Sequence, residues 1–196
     1  MAYKISLEGN NKILAENLLI EVTSLLDKNN IIYCLEGGTL LGIYRENRLL
    51  PWDSDLDLSV LEDELIKMNK FIEDLRKANF RVRTRYFEKD DFYFKKGNLR
   101  IIKIRKKSLF GLIKGPICLE IFIKYKREDF VYWKVGSKTM AAPLFFYEKI
   151  RTILFLNKEY KIPLETEAYL EHKYGNWKIQ QKEWNAMENE GSIIKD

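Results

Sequence analysis

The chain is poor in the residues that several common kinds of site require. Its 196 residues include two cysteines, one histidine and four prolines. Cys34 and Cys118 lie in apolar runs, which predicts buried thiols, and two cysteines are too few for a disulfide scaffold or a cysteine zinc site. A single histidine, His172, leaves almost nothing from which to build a catalytic triad or a histidine–metal centre, and we expect it on a helix surface.

Long apolar runs are also missing. No stretch of about 18 apolar residues is present, so we expect no membrane-spanning helix. The first residues lack the apolar segment of a secretory signal, and the expected location is cytoplasmic, at most peripheral to the inner face of a membrane. The length predicts one domain over residues 1–196, with a core from about residue 10 to about residue 177 and a tail over 178–196.

Positive charge is concentrated in the middle of the chain. Residues 76–114 contain 14 Lys and Arg residues and three acids, a net charge of +11 in a chain whose total is +5. This segment favours an anionic partner, namely a nucleotide diphosphate, an anionic glycan, a membrane surface or a nucleic acid. No nucleic-acid motif accompanies it. A solvated sheet edge, where charged side chains discourage aggregation, would produce the same pattern.

Periodicity and capping signals divide the chain into alternating helices and strands. The predicted helices cover residues 10–29, a short segment from residue 38, and residues 61–78 and 164–174. The predicted strands cover residues 31–35, 55–60, 80–87, 91–95, 98–105, 117–123 and 131–135. Residues 108–116 read as a loop, residues 143–156 fit a helix or a strand, and we expect the chain to fray after residue 189.

Three aspartates at alternate positions, Asp53, Asp55 and Asp57, form the first functional signal. On a strand, the alternation over residues 55–58 sends both carboxylates of that segment to one face and Leu56 and Leu58 to the other. Two acids one pleat apart lie roughly 7 Å apart at Cα and could converge on one hard cation. The alternative is a solvated strand face without a metal.

A glycine pair, Gly37 and Gly38, precedes these acids by about 17 residues. Glycines between a strand and a helix let backbone N–H groups approach a phosphate, and the helix N-terminus favours its negative charge. A phosphate cradle beside a metal-binding acid pair supplies what phosphoryl chemistry on a nucleotide requires. Either signal alone is weak, whereas the two together favour nucleotide chemistry.

Glu120 is the only charged residue in the apolar run over residues 117–123. Burying an unpaired carboxylate costs several kcal/mol, so Glu120 should either have a cationic partner or become protonated. A structural ion pair with a buried basic side chain would provide such a partner.

The motifs together resemble a known family. Residues 37–42 (Gly-Gly-Thr-Leu-Leu-Gly), Arg45, and Pro-Trp-Asp at 51–53 followed by Asp55 and Asp57 resemble the LicD branch of the nucleotidyltransferase superfamily typified by DNA polymerase β. This branch includes bacterial phosphocholine transferases and animal fukutin-related proteins. Residues 163–175 are similar to the family's closing helix, so the resemblance spans about residues 31–177. One departure is Glu46, where many members have histidine after the arginine.

The resemblance implies a fold and an activity. The fold is α+β, a single nucleotidyltransferase-like domain with a mixed twisted sheet of about five strands, flanking helices and a C-terminal helical extension. The implied activity is transfer of choline, ribitol or glycerol phosphate from a CDP-linked donor to a glycan or to a lipid-linked hydroxyl. The implied cofactor is Mg²⁺ or Mn²⁺.

The resemblance also assigns roles to individual residues. The metal-binding and catalytic acids are Asp55, Asp57 and Glu120. The residues expected to bind the donor are Gly37, Gly38, Thr39, Arg45, Arg48 and Asp53.

Two other functions remain compatible with the same residues. A nucleotidyltransferase would use these acids to place a nucleoside monophosphate from a triphosphate on a small molecule or RNA. A non-catalytic basic module would retain the fold and the basic segment but would not turn over a donor.

Overall fold

A computed structural model describes residues 5–108, 113–181 and 184–194 of the chain. Its helices are α1 (Asn10–Lys28), α2 (Gly37–Glu46), α3 (Leu65–Lys77), α4 (Phe145–Glu148) and α5 (Thr166–Tyr174), and a 3-10 turn, Glu62–Glu64, precedes α3. Its strands are β1 (Cys34–Leu35), β2 (Asp55–Leu61), β3 (Phe80–Tyr86), β4 (Leu99–Ser108), β5 (Ile113–Lys114), β6 (Cys118–Arg127), β7 (Phe130–Val135), β8 (Lys138–Pro143), β9 (Ile150–Phe155) and β10 (Lys158–Pro163).

One mixed sheet forms the centre of the domain. Its strand order is β1-β2-β6-β4-β3, with β5 paired to β4 and with β7 and β8 extending from β6. Strands β2 and β6 run parallel, whereas the other pairs described are antiparallel. The parallel pair requires a long crossover, which α3, β3 and β4 supply. Strands β9 and β10 form a separate hairpin.

The two faces of the sheet differ in chemistry because side chains alternate along each strand. On β2 and β6, Leu56, Leu58, Leu119 and Ile121 have no exposed surface. Helices α1 and α3 contact each other and the sheet, and they cover an apolar core. The intervening residues of β2 and β6 carry the acids, so the second face of the sheet is the one on which a site can form.

The predicted fold class agrees with this architecture, and several predicted boundaries do not. The structure has an eight-stranded sheet and a hairpin instead of about five strands. The first strand is limited to Cys34–Leu35, and the helix predicted over residues 61–78 is a 3-10 turn followed by α3. Both cysteines are buried free thiols, as predicted. His172 is only half-buried, with its ring 5.8 Å from that of Phe146.

The strand predicted over residues 91–95 is wrong. One Asp91 carboxylate oxygen accepts hydrogen bonds from the backbone N–H groups of Tyr93 and Phe94, each at 2.8 Å. Aspartate side chains that bond their own following backbone stabilise turns in competition with strands. Phe94 instead turns inward and stacks on Phe87, with ring centroids 4.1 Å apart.

The segment before the last helix also differs from the prediction. Pro163 ends β10 and pairs with Ile150, and α5 begins three residues later at Thr166. The Thr166 hydroxyl donates to the Pro163 carbonyl at 2.5 Å, which closes the turn between strand and helix. The ambiguous segment 143–156 divides into the short helix α4 and the strand β9.

The predicted fraying after residue 189 is wrong for the described tail. Glu190 and Ser192 are buried, and Ile193 forms a bridge with Met140 of β8. The Ala141 N–H donates to the Ser192 carbonyl at 2.7 Å. Residues 184–194 therefore pack onto the domain. Among the described helices, none has the length and apolar character needed to cross a bilayer.

Gly42 lies where α2 crosses the loop that leads to β2. A methyl group at this position would lie 2.6 Å from the Arg48 carbonyl oxygen and 3.0 Å from Leu50 Cγ. Helix propensity alone would make Gly42→Ala stabilising by about 1 kcal/mol. We expect the reverse, a loss of about 1–3 kcal/mol in the free energy of unfolding, because the backbone must move. Urea denaturation of both proteins measures the sign, and a stabilised variant would contradict this packing.

Candidate active site

Two hydrogen bonds join the start of α2 to β2, one between backbone groups and one from a backbone N–H to a side-chain hydroxyl. The Glu36 N–H donates to the Asp57 carbonyl at 3.0 Å, and the Asp57 N–H donates to the Thr39 hydroxyl at 2.9 Å. Thr39 is buried, so its hydroxyl is directed to β2 and not to the cavity described below. The structure thus places Thr39 as a support for Asp57, in contrast to the predicted contact with the donor.

Gly37 and Gly38 allow two carboxylates to approach the helix N-terminus. A Cβ on Gly37 would lie 2.6 Å from Asp57 Oδ2, and Gly37 has a φ of +56°, which disfavours a side chain independently. A Cβ on Gly38 would overlap Asp53 Oδ2. The glycine pair is therefore needed for close approach of the acids to α2, in addition to any contact with a phosphate.

Parallel pairing of β2 and β6 brings the three predicted acids together. Asp57 is the register partner of Glu120, and Asp55 is the partner of Cys118. One carboxylate oxygen from each of Asp55, Asp57 and Glu120 can be chosen so that all three lie within 4.8 Å of one another. Glu120 also forms an ion pair with Lys103 of β4. A structural ion pair and the predicted metal-binding role are thus both compatible with the position of Glu120.

Burial and neighbouring carboxylates raise the pKa values of Asp53, Asp55 and Asp57. Burial raises the pKa of Asp53 to about 6, and the charge of Asp55 adds to the effect. Burial raises the pKa of Asp57 well above its usual value, with further contributions from Asp55, Asp53 and Glu120. The pKa of Asp55 is raised by burial and then by Glu120. Clustered carboxylates of this kind gain stability when a cation lies among them.

The acids face a cavity of about 420 Å³. One side of the cavity is formed by the start of α2 and by β2 and β6, and another by α5 and the tail. Aromatic side chains contribute much of the wall, namely Trp52, Trp133, Tyr174, Trp177 and Trp184. The volume is suited to a ligand of ordinary cofactor size, because such sites measure about 300–1,000 Å³.

The two predicted arginines have different positions. Arg45 lines the cavity, and its guanidinium donates to the Trp177 carbonyl at 2.8 Å. Arg48 is half-exposed and pairs with Glu46 through two hydrogen bonds of 2.8 and 2.6 Å, and it is not among the residues that line the cavity. Glu46, the residue that departs from the family pattern, pairs with both arginines, since Arg45 also donates to it at 3.0 and 2.6 Å.

A buried group of charges behind the cavity was missed by sequence reasoning. Glu36 lies 3.2 Å from Lys124 Nζ and 3.1 Å from Lys173 Nζ, and Lys173 lies 2.6 Å from Glu190. Relative exposure is 5% or less for all four residues, which we call the buried charge cluster. The Lys124 ammonium also lies 3.0 Å from the ring centroid of Trp133. The cluster joins α2, β6, α5 and the tail.

Opposite charges decide the ionisation of this cluster. Burial opposes ionisation of Glu36, but Lys124 and Lys173 outweigh it and lower the pKa of Glu36 to about 2. Burial lowers the pKa of Lys124 to about 8 despite the nearby Glu36. Burial would also lower the pKa of Lys173, but Glu190 and Glu36 outweigh that effect and raise it well above its usual value. Lys124 directly follows the apolar run that made Glu120 conspicuous, and the same reasoning could have found it.

The fold and the site define the class of this domain. A mixed α+β sheet carries an acid cluster on neighbouring strands, and the cluster lies beside a glycine-led helix N-terminus at the wall of one cavity, as in nucleotidyltransferase domains. The family model described as LicD/FKTN/FKRP, nucleotidyltransferase domain, matches residues 30–165. The chain therefore belongs to the LicD family, which confirms the resemblance drawn from its motifs.

Two curated relatives match most of the chain, and a third matches about a quarter of it. An uncharacterized protein of Rickettsia prowazekii is 27% identical over 183 residues, covering 89% of this chain and 58% of the relative. Human ribitol-5-phosphate transferase FKTN is 26% identical, covering 87% of this chain and 34% of the relative. The lipopolysaccharide cholinephosphotransferase LicD of Haemophilus influenzae is 40% identical over 48 residues, covering 24% of this chain and 18% of the relative. The chain thus spans from under a fifth to just over half of the length of these relatives.

A solved structure of ANT(2″)-Ia in complex with adenylyl-2″-tobramycin is also similar. It aligns with 75% of this chain and 67% of its own chain, at 13% identity and a TM-score of 0.43. A solution structure of ANT(2″)-Ia aligns with the same TM-score at 11% identity. A TM-score below 0.5 does not by itself define a shared fold.

The acid cluster leads to a stability prediction for Asp55. Replacing one of three mutually repelling carboxylates should relieve repulsion, so Asp55→Asn should be as stable as the native protein, or more stable by up to about 1 kcal/mol, in metal-free buffer. We expect Mg²⁺ to raise the melting temperature of the native protein and to have less effect on the variant, because fewer ligand oxygens remain. Asp129→Asn, at an exposed side chain, is the control and should keep both properties. A clear loss of metal-free stability in Asp55→Asn alone would contradict the prediction.

The buried charge cluster predicts a specific dependence of stability on pH. The folded pKa of Glu36 is about 2, below its usual 4.5, so its contribution is present above pH 4.5 and is lost as the pH falls toward 2. The loss should be about 3 kcal/mol of unfolding free energy. Glu36→Gln should remove that part of the dependence and cost about 3–5 kcal/mol at neutral pH, because Lys124 loses its carboxylate partner and Lys173 loses one of its two.

Denaturant unfolding at several pH values measures this dependence. Glu73→Gln, at an exposed residue of α3, serves as the matched control. If the unfolding free energy fell equally at acidic pH in the native protein and in Glu36→Gln, the cluster would not contribute as described.

Proposed function

We propose that the chain transfers a phospho-alcohol from a CDP-linked donor to a hydroxyl of a glycan or lipid-linked glycan. The observation that carries this proposal is the convergence of Asp55, Asp57 and Glu120 on one cavity in a chain of the LicD family. It is supported by relatives whose names state ribitol-5-phosphate or choline phosphate transfer. Choline, ribitol and glycerol phosphate are all suitable cargo for a cavity of this size.

The donor set suits a hard divalent cation. Three carboxylates that can place oxygens within 4.8 Å of one another, with no sulfur or imidazole ligand in the cluster, match the preference of Mg²⁺ or Mn²⁺ for oxygen. The raised pKa values of Asp55 and Asp57 also fit, because both acids gain a counter-charge when a cation binds. When bound, the cation would neutralise charge on the donor diphosphate.

The remaining parts of the site would bind the donor. The first N–H groups of α2, at Gly37 and Gly38, point out of the helix N-terminus, which is a position that favours an anion. Arg45 lines the same cavity and would add a positive charge beside the diphosphate. The aromatic wall offers flat surfaces for the pyrimidine ring or for the alcohol.

The transfer step balances as a substitution at the phosphorus atom that carries the alcohol. The acceptor hydroxyl oxygen forms a bond to this phosphorus, the bond to the bridging oxygen of the diphosphate breaks, and CMP leaves. A carboxylate of Asp57 or Glu120 would accept the proton of the hydroxyl group. Lys103 pairs with Glu120 and would hold its carboxylate in position.

Donor turnover tests the proposal. Purified protein with Mg²⁺ should release CMP from CDP-choline, CDP-ribitol or CDP-glycerol when acceptor is present, and chelation with EDTA should stop the release. Asp57→Ala should lower turnover by about a thousandfold or more, because the cation supplies several kcal/mol of transition-state stabilisation. Asp129→Asn should be unaffected.

The products distinguish the alternatives. Release of pyrophosphate from a nucleoside triphosphate, without CMP release from any CDP-alcohol, would replace the proposal with nucleotidyl transfer. Binding of donors without any turnover, and without a difference between Asp57→Ala and the native protein, would favour the non-catalytic module.

A further inference from the structure

The face of the sheet that carries the acid cluster continues past it onto β4 and β3. Asp57 pairs with Glu120, Glu120 pairs with Lys103, and Lys103 pairs with Arg83. Register partners on neighbouring strands point to the same face of a sheet. One row of side chains therefore runs across four strands, from the acids to the edge of the sheet.

The adjoining positions of β3 and β4 are also basic. Arg81 pairs with Arg105, and Arg85 lies one pleat beyond Arg83 on the same face. We call these five residues the basic strip: Lys103 and Arg105 on β4, and Arg81, Arg83 and Arg85 on β3. At about 4.8 Å per strand, Arg83 lies roughly 14 Å from Asp57 at Cα.

The basic strip is electrostatically unfavourable in the isolated domain. Arg81 faces Arg105 and Arg83 faces Lys103, and like charges directly opposite across strands are destabilising. Lys103 pairs with Glu120, but within residues 5–108, 113–181 and 184–194 neither Arg81 nor Arg83 has a carboxylate within ion-pair distance. The other face of the same two strands pairs apolar and small residues, such as Val82 with Ile104.

Protection of a sheet edge does not account for the whole arrangement. β3 is the last strand of the described sheet order, and charged side chains there would discourage pairing with another chain. Lys103 and Arg105, however, lie on β4, which is paired on both sides and needs no such protection. Lys103 pairs with Glu120, and Arg105 donates to the Gly115 and Pro116 carbonyls. An anionic ligand that lies on both strands would neutralise Arg81 and Arg83, which face these two residues.

We propose that the basic strip binds a phosphate-bearing, linear acceptor and leads it to the acid cluster. This inference rests on the proposed function and specifies its acceptor as a soluble polyanionic glycan or polyol phosphate. Arginine forks bind phosphate oxygens through paired hydrogen bonds, and the strip offers four arginines beside one lysine. A linear polymer with repeating charge fits a row that ends at the catalytic acids.

The test measures polyanion binding with neither donor nor metal present. Arg81→Gln combined with Arg83→Gln removes two charges, and its affinity for the probe, fluorescently labelled linear inorganic polyphosphate, should fall about tenfold or more. The control is Lys70→Gln combined with Arg76→Gln, which makes the same change in net charge at exposed residues of α3. This control should keep native affinity and native turnover.

Two further measurements separate the possible outcomes. Melting temperature should be unchanged or raised in the Arg81/Arg83 variant, because a like-charge contact is removed. Native affinity for polyphosphate should fall steeply between about 50 and about 200 mM salt. Equal loss in both double variants, or no loss in either, would overturn the proposal and leave the arginines as edge protection.

Vesicles and donor turnover complete the test. Tight binding to phosphatidylglycerol–phosphatidylcholine vesicles, without binding to polyphosphate, would overturn the soluble-acceptor assignment and identify a membrane-facing surface. CMP release from CDP-alcohols in the presence of a hydroxyl acceptor reports the proposed function separately. If the protein binds polyphosphate through the basic strip but releases no CMP, the transferase proposal is overturned. The acceptor role of the strip is then overturned with it.

Discussion

The repulsion among Asp55, Asp57 and Glu120 is the constraint that the rest of the site must meet. Parallel pairing of β2 and β6 fixes Asp57 beside Glu120, and no rotamer change can move the two backbones apart. The surroundings compensate in part, since Lys103 pairs with Glu120 and α2 directs its N-terminus at the acids. The raised pKa values of both aspartates indicate that compensation is incomplete, which is the condition under which a cation binds well.

The buried charge cluster explains how the tail becomes part of the cavity. Glu190 in the tail pairs with Lys173 of α5, and Lys173 also pairs with Glu36 at the start of α2. Buried ion pairs contribute little net stability compared with apolar packing, but breaking one is costly. Such a cluster therefore fixes one arrangement of tail and core. The same residues border the cavity, so the position of the tail and the shape of the cavity are coupled.

Acidic and basic side chains occupy different strands of the sheet, in addition to different segments of the sequence. The acids occupy β2 and β6, the basic strip occupies β4 and β3, and both lie on the face of the sheet that α1 and α3 do not cover. A donor bound over the acids and an anionic acceptor lying on the strip would meet at Glu120. Glu46 pairs with Arg48 near the surface and with Arg45 at the cavity wall.

The sequence by itself determined the features that depend on neighbours along the chain. Alternation placed the acids of β2 on one face of the strand and its leucines on the other. The isolated charge of Glu120 in an apolar run predicted a cationic partner. Tertiary structure decided the rest. Strand register selected Lys103 as the neighbour of Glu120 and Arg83 as the neighbour of Lys103, and packing of the tail brought Glu190 to Lys173. These contacts join residues far apart in sequence, and local periodicity carries no information about register between strands or about which distant charge will neutralise a buried one.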